Sequence, residues 1–335
     1  MFKGCTSYRS PSPLALLAGV AILLQSCRGS AIDLTTLGPS PKATPSPPSS
    51  PASPPASLAR SQSYKGWIAF AAEQNGVNGL YIIDPSSLEI RPLAIGDAPL
   101  GFPSWSLDYT RLAFVAEDHD VFVVDSACYD RSDCHTSLER YTQPNRVHST
   151  LAWLPGQNTV LLSTIPREDG AVPHLMTLPL NPGGIAQDLG DAGFNAKMSP
   201  DGASILFDAY TGADQLMLSD LSAGATFPLL SPTSELANSI YGDWSPDGSQ
   251  IAFMTTPGEG LSYGVQYDIY VAQADGTDPY LVATNGWWPD WSPDGVSIVF
   301  EREDGLYTVD VLQGIERKIL ALPKIHNTVV PAWSP

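Results

Sequence analysis

Few polar residues in this chain recur at a spacing that could assemble chemistry. Asp243 and Asp290 each stand immediately before a Trp-Ser-Pro-Asp-Gly run, and Lys197 holds the same place before Met-Ser-Pro-Asp-Gly. Two carboxylates and an ammonium delivered from equivalent positions of a repeat would meet at one level of a symmetric structure. There they suit a cation or polar ligand, or form an internal ion pair beside a hydrated channel. They are also the pair that could divide general acid and general base work, which needs two carboxyl groups of separated pKa in a cleft. Other machinery is missing: the sequence has no Gly-x4-Gly-Lys, His-Glu-x-x-His, dinucleotide fingerprint or EF-hand loop. His119, flanked by Glu117, Asp118 and Asp120, reads as a solvated hairpin tip ahead of a cation site. No catalytic residue, metal or cofactor is expected.

The elements that would position these residues are repeats. Aligned on the residue before each Ser-Pro-like turn, the anchors are Trp105, Trp153, Met198, Trp244, Trp291 and Trp333, spaced 48, 45, 46, 47 and 42 residues apart. Seven to nine residues after the anchors stand 112–114, 160–162, 205–207, 251–253 and 298–300, each a short apolar run. A third run follows at 80–83, 121–124, 216–218, 269–271 and 306–309, often closed by Asp84, Asp125, Asp220 or Asp310 as turn formers. Four strands per period is the size of a propeller blade, which cannot bury both faces without neighbours. Residues 67–70 lack an anchor before them, and Trp333 lacks a second strand after it. The two ends therefore complete one blade. The expected fold is all-β, a six-bladed β-propeller over 64–335, closed by pairing of the N- and C-terminal strands in the first blade.

This register identifies a second column. Three residues before the anchors stand Phe102, Thr150, Asn195, Tyr241, Trp288 and Val330, with His148, Phe194 and Trp287 adjacent. They are expected in loops leading into the innermost strands, on the face that also carries the long connections 167–173, 210–214 and 257–268. Loops on a rigid scaffold carry recognition, and aromatics are favoured at contact hot spots. Phe102, Tyr241, Trp287 and Trp288, with Lys197, Asp243 and Asp290, are thus the candidate binding residues. The alternative for the aromatics is packing between blades.

The N-terminus reads as a targeting segment, with Lys3 and Arg9 ahead of an eleven-residue apolar run at 14–24, too short to span a bilayer. Residues 24–27, Leu-Gln-Ser-Cys, resemble the lipobox of bacterial lipoproteins, which implies cleavage of 1–26 and acylation of Cys27. Residues 27–63 form a tether in which thirteen of the seventeen residues 39–55 are Pro or Ser, a composition that blocks helix and sheet and favours polyproline II. Export leaves Cys128 and Cys134 as an isolated pair in an oxidising compartment, where a local disulfide is the economical reading. The balance of 17 Lys+Arg against 35 Asp+Glu, a net charge of −18, disfavours nucleic acid.

The Trp-Ser-Pro-Asp-Gly copies with their Ile-Ala-Phe strands resemble the WD40-like repeats of TolB propellers, over roughly residues 64–335. The resemblance implies a periplasmic binding protein; the same repeats are similar to propellers attached to prolyl-oligopeptidase-type hydrolases. TolB carries a mixed α/β domain where this chain has its tether. The expectation is a membrane-anchored extracytoplasmic scaffold that binds an envelope protein or polymer. The competing expectation is an enzyme acting on envelope glycans or peptides through Asp243 and Asp290.

Overall fold

Short β-rich runs separated by Gly, Pro, Asp and Asn become hairpins because each run can bury both faces only against neighbouring sheets. The computed structural model describes residues 64–74, 77–96, 101–116, 120–125, 138–142, 146–166, 171–190, 192–210, 215–232, 234–256, 266–321 and 330–334. The targeting segment, the tether, His119 and all four cysteines lie outside them.

Among the described residues, β1 (Ile68–Gln74), β2 (Val77–Ile83) and β3 (Ile90–Gly96) belong to blade 1. Blade 2 holds β4 (Gly101–Trp105), β5 (Arg111–Ala116), β6 (Asp120–Asp125) and β7 (Glu139–Tyr141). Blade 3 holds β8 (Arg146–Trp153), β9 (Thr159–Pro166), β10 (His174–Pro179) and β11 (Gln187–Asp188). Blade 4 holds β12 (Gly193–Met198), β13 (Ser204–Ala209), β14 (Leu216–Asp220) and β15 (Ala225–Pro228). Blade 5 holds β16 (Ser239–Trp244), β17 (Gln250–Thr255), β18 (Asp268–Gln273) and β19 (Tyr280–Ala283). Blade 6 holds β20 (Trp287–Trp291), β21 (Ser297–Arg302), β22 (Gly305–Asp310) and β23 (Glu316–Ala321). β24 (Ala332–Trp333) returns to blade 1 and pairs antiparallel with β1, Ile68 opposite Trp333 and Ala69 opposite Ala332. The result is six antiparallel four-stranded sheets, the all-β six-bladed propeller.

The core lies between blades. Ala69, Leu80 and Ile82 of blade 1 pack on Trp105, Leu112 and Phe114 of blade 2, and similar clusters join blades 4 and 5 and blades 5 and 6. The anchor tryptophans sit in these seams, 4% to 9% exposed. In blades 2 and 3 the indole nitrogen also ties blades together: Trp105 Nε1 donates to the Ala332 carbonyl at 3.1 Å, and Trp153 Nε1 to that of Ser104 at 2.8 Å. The anchors are structural, as their regular spacing requires.

A meander puts alternate connections at alternate ends of the sheet. The turns after the first and third strands share one end, here the turn face; the connections after the second and fourth strands share the other, the collar face. On the turn face Ser-Pro-Asp-Gly closes each hairpin in the same way. The hydroxyls of Ser199, Ser245 and Ser292 donate to Asp201, Asp247 and Asp294 at 2.6 to 2.7 Å. The same oxygens accept the backbone N–H of Ser204, Gln250 and Ser297 at 2.9 Å. The glycine is required because it is left-handed, at φ of 74°, 71° and 68° for Gly202, Gly248 and Gly295. Blade 2 forces Tyr109 into that place at φ 56°.

Candidate functional site

The structure brings Lys197, Asp243 and Asp290 together. They come from the innermost strands β12, β16 and β20 of three consecutive blades, with Lys197 Nζ 3.5 Å from Asp243 and 3.6 Å from Asp290. Each carboxylate also accepts from the next blade. The N–H of Trp291 donates to Asp243 Oδ2 at 3.0 Å, and that of Trp333 to Asp290 Oδ1 at 2.8 Å. Ser104 does the same work in blade 2, accepting from the Trp153 N–H at 3.3 Å. In blades 2, 5 and 6 the residue before the anchor is therefore an inter-blade clasp, and Lys197 joins two such clasps across three blades. The same position in the other three blades is filled by Ser104, Ala152 and Ala332.

Burial is the main force raising the Asp290 pKa, to about 7; the like charge of Asp243 adds to it, and Lys197 and the Trp333 N–H oppose it. Burial works to lower the Lys197 pKa, but the two carboxylates outweigh it and hold the ammonium above its ordinary value. The ammonium occupies the position between the carboxylates that a cation would take, so the triad as it stands is an ion pair. Among the described residues, no group of three or more His, Cys, Asp and Glu is arranged for a metal.

The second column departs from its sequence-based placement. Phe102, Asn195, Tyr241 and Trp288 are inside the innermost strands, not in loops leading to them. The register with the second strand slips at each of these points, a β-bulge repeated in blades 2, 4, 5 and 6. All four residues have positive φ, between 51° and 53°. Left-handed backbone is rare for bulky side chains and persists only where surroundings over-determine it. In blades 4 and 5 the determinant is the preceding blade: Thr150 Oγ1 accepts the Asn195 N–H at 3.1 Å, and Asp208 Oδ1 the Tyr241 N–H at 3.0 Å. Asp208, in β13, also accepts from the Asn195 side chain at 2.6 Å.

Sequence reasoning missed Asp208. Its signal was a carboxylate at a strand position filled by Ala71, Val115, Ser163 and Met254 in four blades and by Glu301 in blade 6, and unlike an ordinary surface carboxylate it is only 6% exposed. Burial, with help from the Asp208 charge and against Trp288 and Asn195, pushes the Tyr241 phenol up to about 12.

The aromatics form an arc. The rings of Tyr241 and Trp288 meet edge to face at 6.1 Å and 83°, and Trp287 lies 6.5 Å from Trp288. Tyr241 and Trp287 pack on Ile240, Met254 and Tyr267 of blade 5, while all three remain half-buried. Phe102, also half-buried, stands on blade 2, opposite blade 5 across the channel. The packing and exposed roles are thus combined in the same side chains. A separate cavity of about 690 Å³ lies between the rims of blades 2 and 3, lined by Arg111, Glu139, Tyr141, Asn158 and Gly183, away from the channel.

No family model matches the chain, and no curated protein matches it. Solved structures do. TolB from Acinetobacter baumannii superposes with a TM-score of 0.67 at 18% identity, over 82% of this chain and 67% of that one. A putative TolB from Agrobacterium tumefaciens does so at 0.59 and 16%, over 81% of this chain and 99% of that one. An oligogalacturonate lyase in complex with manganese gives 0.51 and 15%, over 73% and 71%. At these identities the likeness is one of architecture: the chain is a six-bladed β-propeller with the fold of TolB.

Proposed function

We propose that this chain is an extracytoplasmic β-propeller, anchored to a bacterial membrane through Cys27, that binds an envelope protein on its collar face. The observation that carries the reading is the bulge column. Four blades hold bulky or amide side chains in left-handed backbone at one height around the channel mouth, and such strain clusters at ligand clamps. The arc of Tyr241, Trp287 and Trp288 offers rigid aromatic surface, the composition of contact hot spots. TolB-like architecture supports a binding role, and the Cys27 context supports the anchor.

Capture of envelope proteins by crosslinking, compared between the parent and Trp288→Ala, tests it. Binding predicts loss of capture by a hot-spot margin of ~2 kcal/mol or more. Trp288→Ala capturing the same set as the parent would show that the arc only packs blades.

The enzymatic reading draws on Asp290, whose pKa near neutrality suits an acid or base, and on the lyase among the structural neighbours. Against it, each carboxylate of the pair is already committed to a backbone N–H and to Lys197. Turnover of a cell-wall glycan or peptide that disappears in the Asp243→Asn, Asp290→Asn variant would favour the enzyme.

A further inference from the structure

The described chain begins at the turn face. Tyr64 receives the Ser86 hydroxyl on its carbonyl at 2.9 Å, and Ser86 lies in the turn between β2 and β3. The Tyr64 hydroxyl meets that of Thr308 at 2.9 Å, and Arg317 lies over its ring at 5.8 Å. The Lys65 carbonyl accepts from Trp333 Nε1 at 3.0 Å, and the Trp67 carbonyl from the Ser334 N–H at 2.7 Å. Residues 64–67 are therefore fastened between blades 6 and 1 at the end opposite the collar. Residues 28–63, 36 in number, must leave from there.

We propose that the propeller stands with its turn face toward the membrane that holds Cys27 and its collar turned away, so that the collar is open to a protein arriving from the far side and closed to one lying in the anchoring leaflet. This rests on the anchor and collar readings above. Two further features favour it. For the collar to meet the same bilayer, the tether would have to run back along the outer wall. The seven residues of β3, the outermost strand of blade 1, set that wall at about 23 Å, and a polyproline-rich chain gives up freedom to follow it. Exposed aliphatic side chains also gather at turn-face tips of four blades: Leu107, Ile185, Leu221, Leu312 and Ile315, with Ile185 76% and Leu312 90% exposed. The exposed carboxylates of Asp108, Asp201, Asp247 and Asp294 on the same face keep it off anionic headgroups, so the face hovers and does not insert.

The test couples residues 27–335 through Cys27 to a maleimide lipid in phosphatidylcholine vesicles, with Cys128 and Cys134 replaced by Ser. A fluorophore is introduced as an unnatural amino acid in place of Gln313, on the turn face, or of Thr284, on the collar face. Energy transfer to a headgroup dye should be several-fold stronger from position 313 than from position 284. Equal transfer, or stronger transfer from 284, overturns the orientation. Because the coupling is chemical, this outcome does not depend on natural acylation. Metabolic palmitate labelling of the parent and of Cys27→Ser reports the anchor separately, and unlabelled parent would overturn the anchor alone.

Discussion

On the turn face, three blades repeat one arrangement: a serine hydroxyl on an aspartate oxygen, the same serine oxygen accepting the N–H that opens the next strand, and a left-handed glycine. On the collar face, the repeated feature is the bulge, and its occupants are Phe102, Asn195, Tyr241 and Trp288. The partners that fix it differ as well, Thr150 in one blade and Asp208 in the next. Both faces use positive φ, but the Ser-Pro-Asp-Gly turns fill it with glycine, which adopts it without strain, and the bulges do not. Where every contact lies within five residues, the chain can repeat the solution. Where the contact comes from a neighbouring blade, each blade must be built separately, and side chains there are free to diverge toward recognition.

The sharpest way to break this comparison is to open the ring, because every collar contact assumes closed neighbours. Deleting residues 329–335 removes β24 with the buried Trp333 and exposes the edge of β1. Trp333→Ala by itself should cost ~3–5 kcal/mol, and the deletion should abolish cooperative thermal unfolding. A deleted chain melting within a degree or two of the parent would show that blade 1 holds without its innermost strand.

A smaller effect is expected at the collar's own determinant. Asp208→Ala removes the charged acceptor of both the Tyr241 N–H and the Asn195 amide, each such bond being worth ~1.5–3 kcal/mol. Calorimetry should show a loss within that range or somewhat above it. Ultraviolet titration should show the Tyr241 phenol ionising below about 12, since Asp208 contributes to its elevation. A Tyr241 titration unmoved by the change would separate Asp208 from the arc.

On the turn face a local defect should stay local. Gly248→Ala places a Cβ at φ 71°, costing ~1–2 kcal/mol, with collar capture unaltered at a temperature where the variant is folded. Loss of capture without unfolding would mean that function had been assigned to the wrong face.

In pH dependence the two regions have opposite signs. Hydrogen bonds from the turn serine hold the exposed Asp108 and Asp201 below their ordinary pKa, and those from Ser249 and Ser245 do so for Asp247. Their contribution is present above pH ~4 and is lost as pH falls through the lowered values. Asp290 is raised instead, from 3.8 to about 7. Its contribution is complete below its unfolded value and is lost as pH rises through the interval to about 7. Asp290→Asn should therefore flatten a decline in melting temperature between those limits and leave the acid limb unchanged. A parent curve that rises across the interval, with the variant parallel to it, would place Asp290 in a solvated, unperturbed site.

The anchor tryptophans, the apolar run after each and the Ser-Pro-Asp-Gly turns were legible in the sequence because they answer to one periodicity and to contacts between near neighbours in the chain. So was the meeting of Lys197, Asp243 and Asp290, since equivalent places in a closed repeat lie at equal height. The clasp role of those carboxylates was not, because the N–H groups of Trp291 and Trp333 lie 48 and 43 residues farther on. The placement of Tyr241 and Trp288 in loops failed for the same reason. A bulge changes no residue type, so strand and loop look alike until the facing strand shows its slipped register.

By itself, then, the sequence determined the blade count, the hairpin chemistry of one face and the columns that approach the axis, all consequences of local hydrogen bonding and a repeating hydrophobic pattern. Only the tertiary structure decided that Asp208 governs the arc, that Lys197 fills the place between two carboxylates, and that the chain emerges opposite the collar. Each of these depends on which blade stands beside which, a relation set by ring closure and not by any neighbouring residues in the chain.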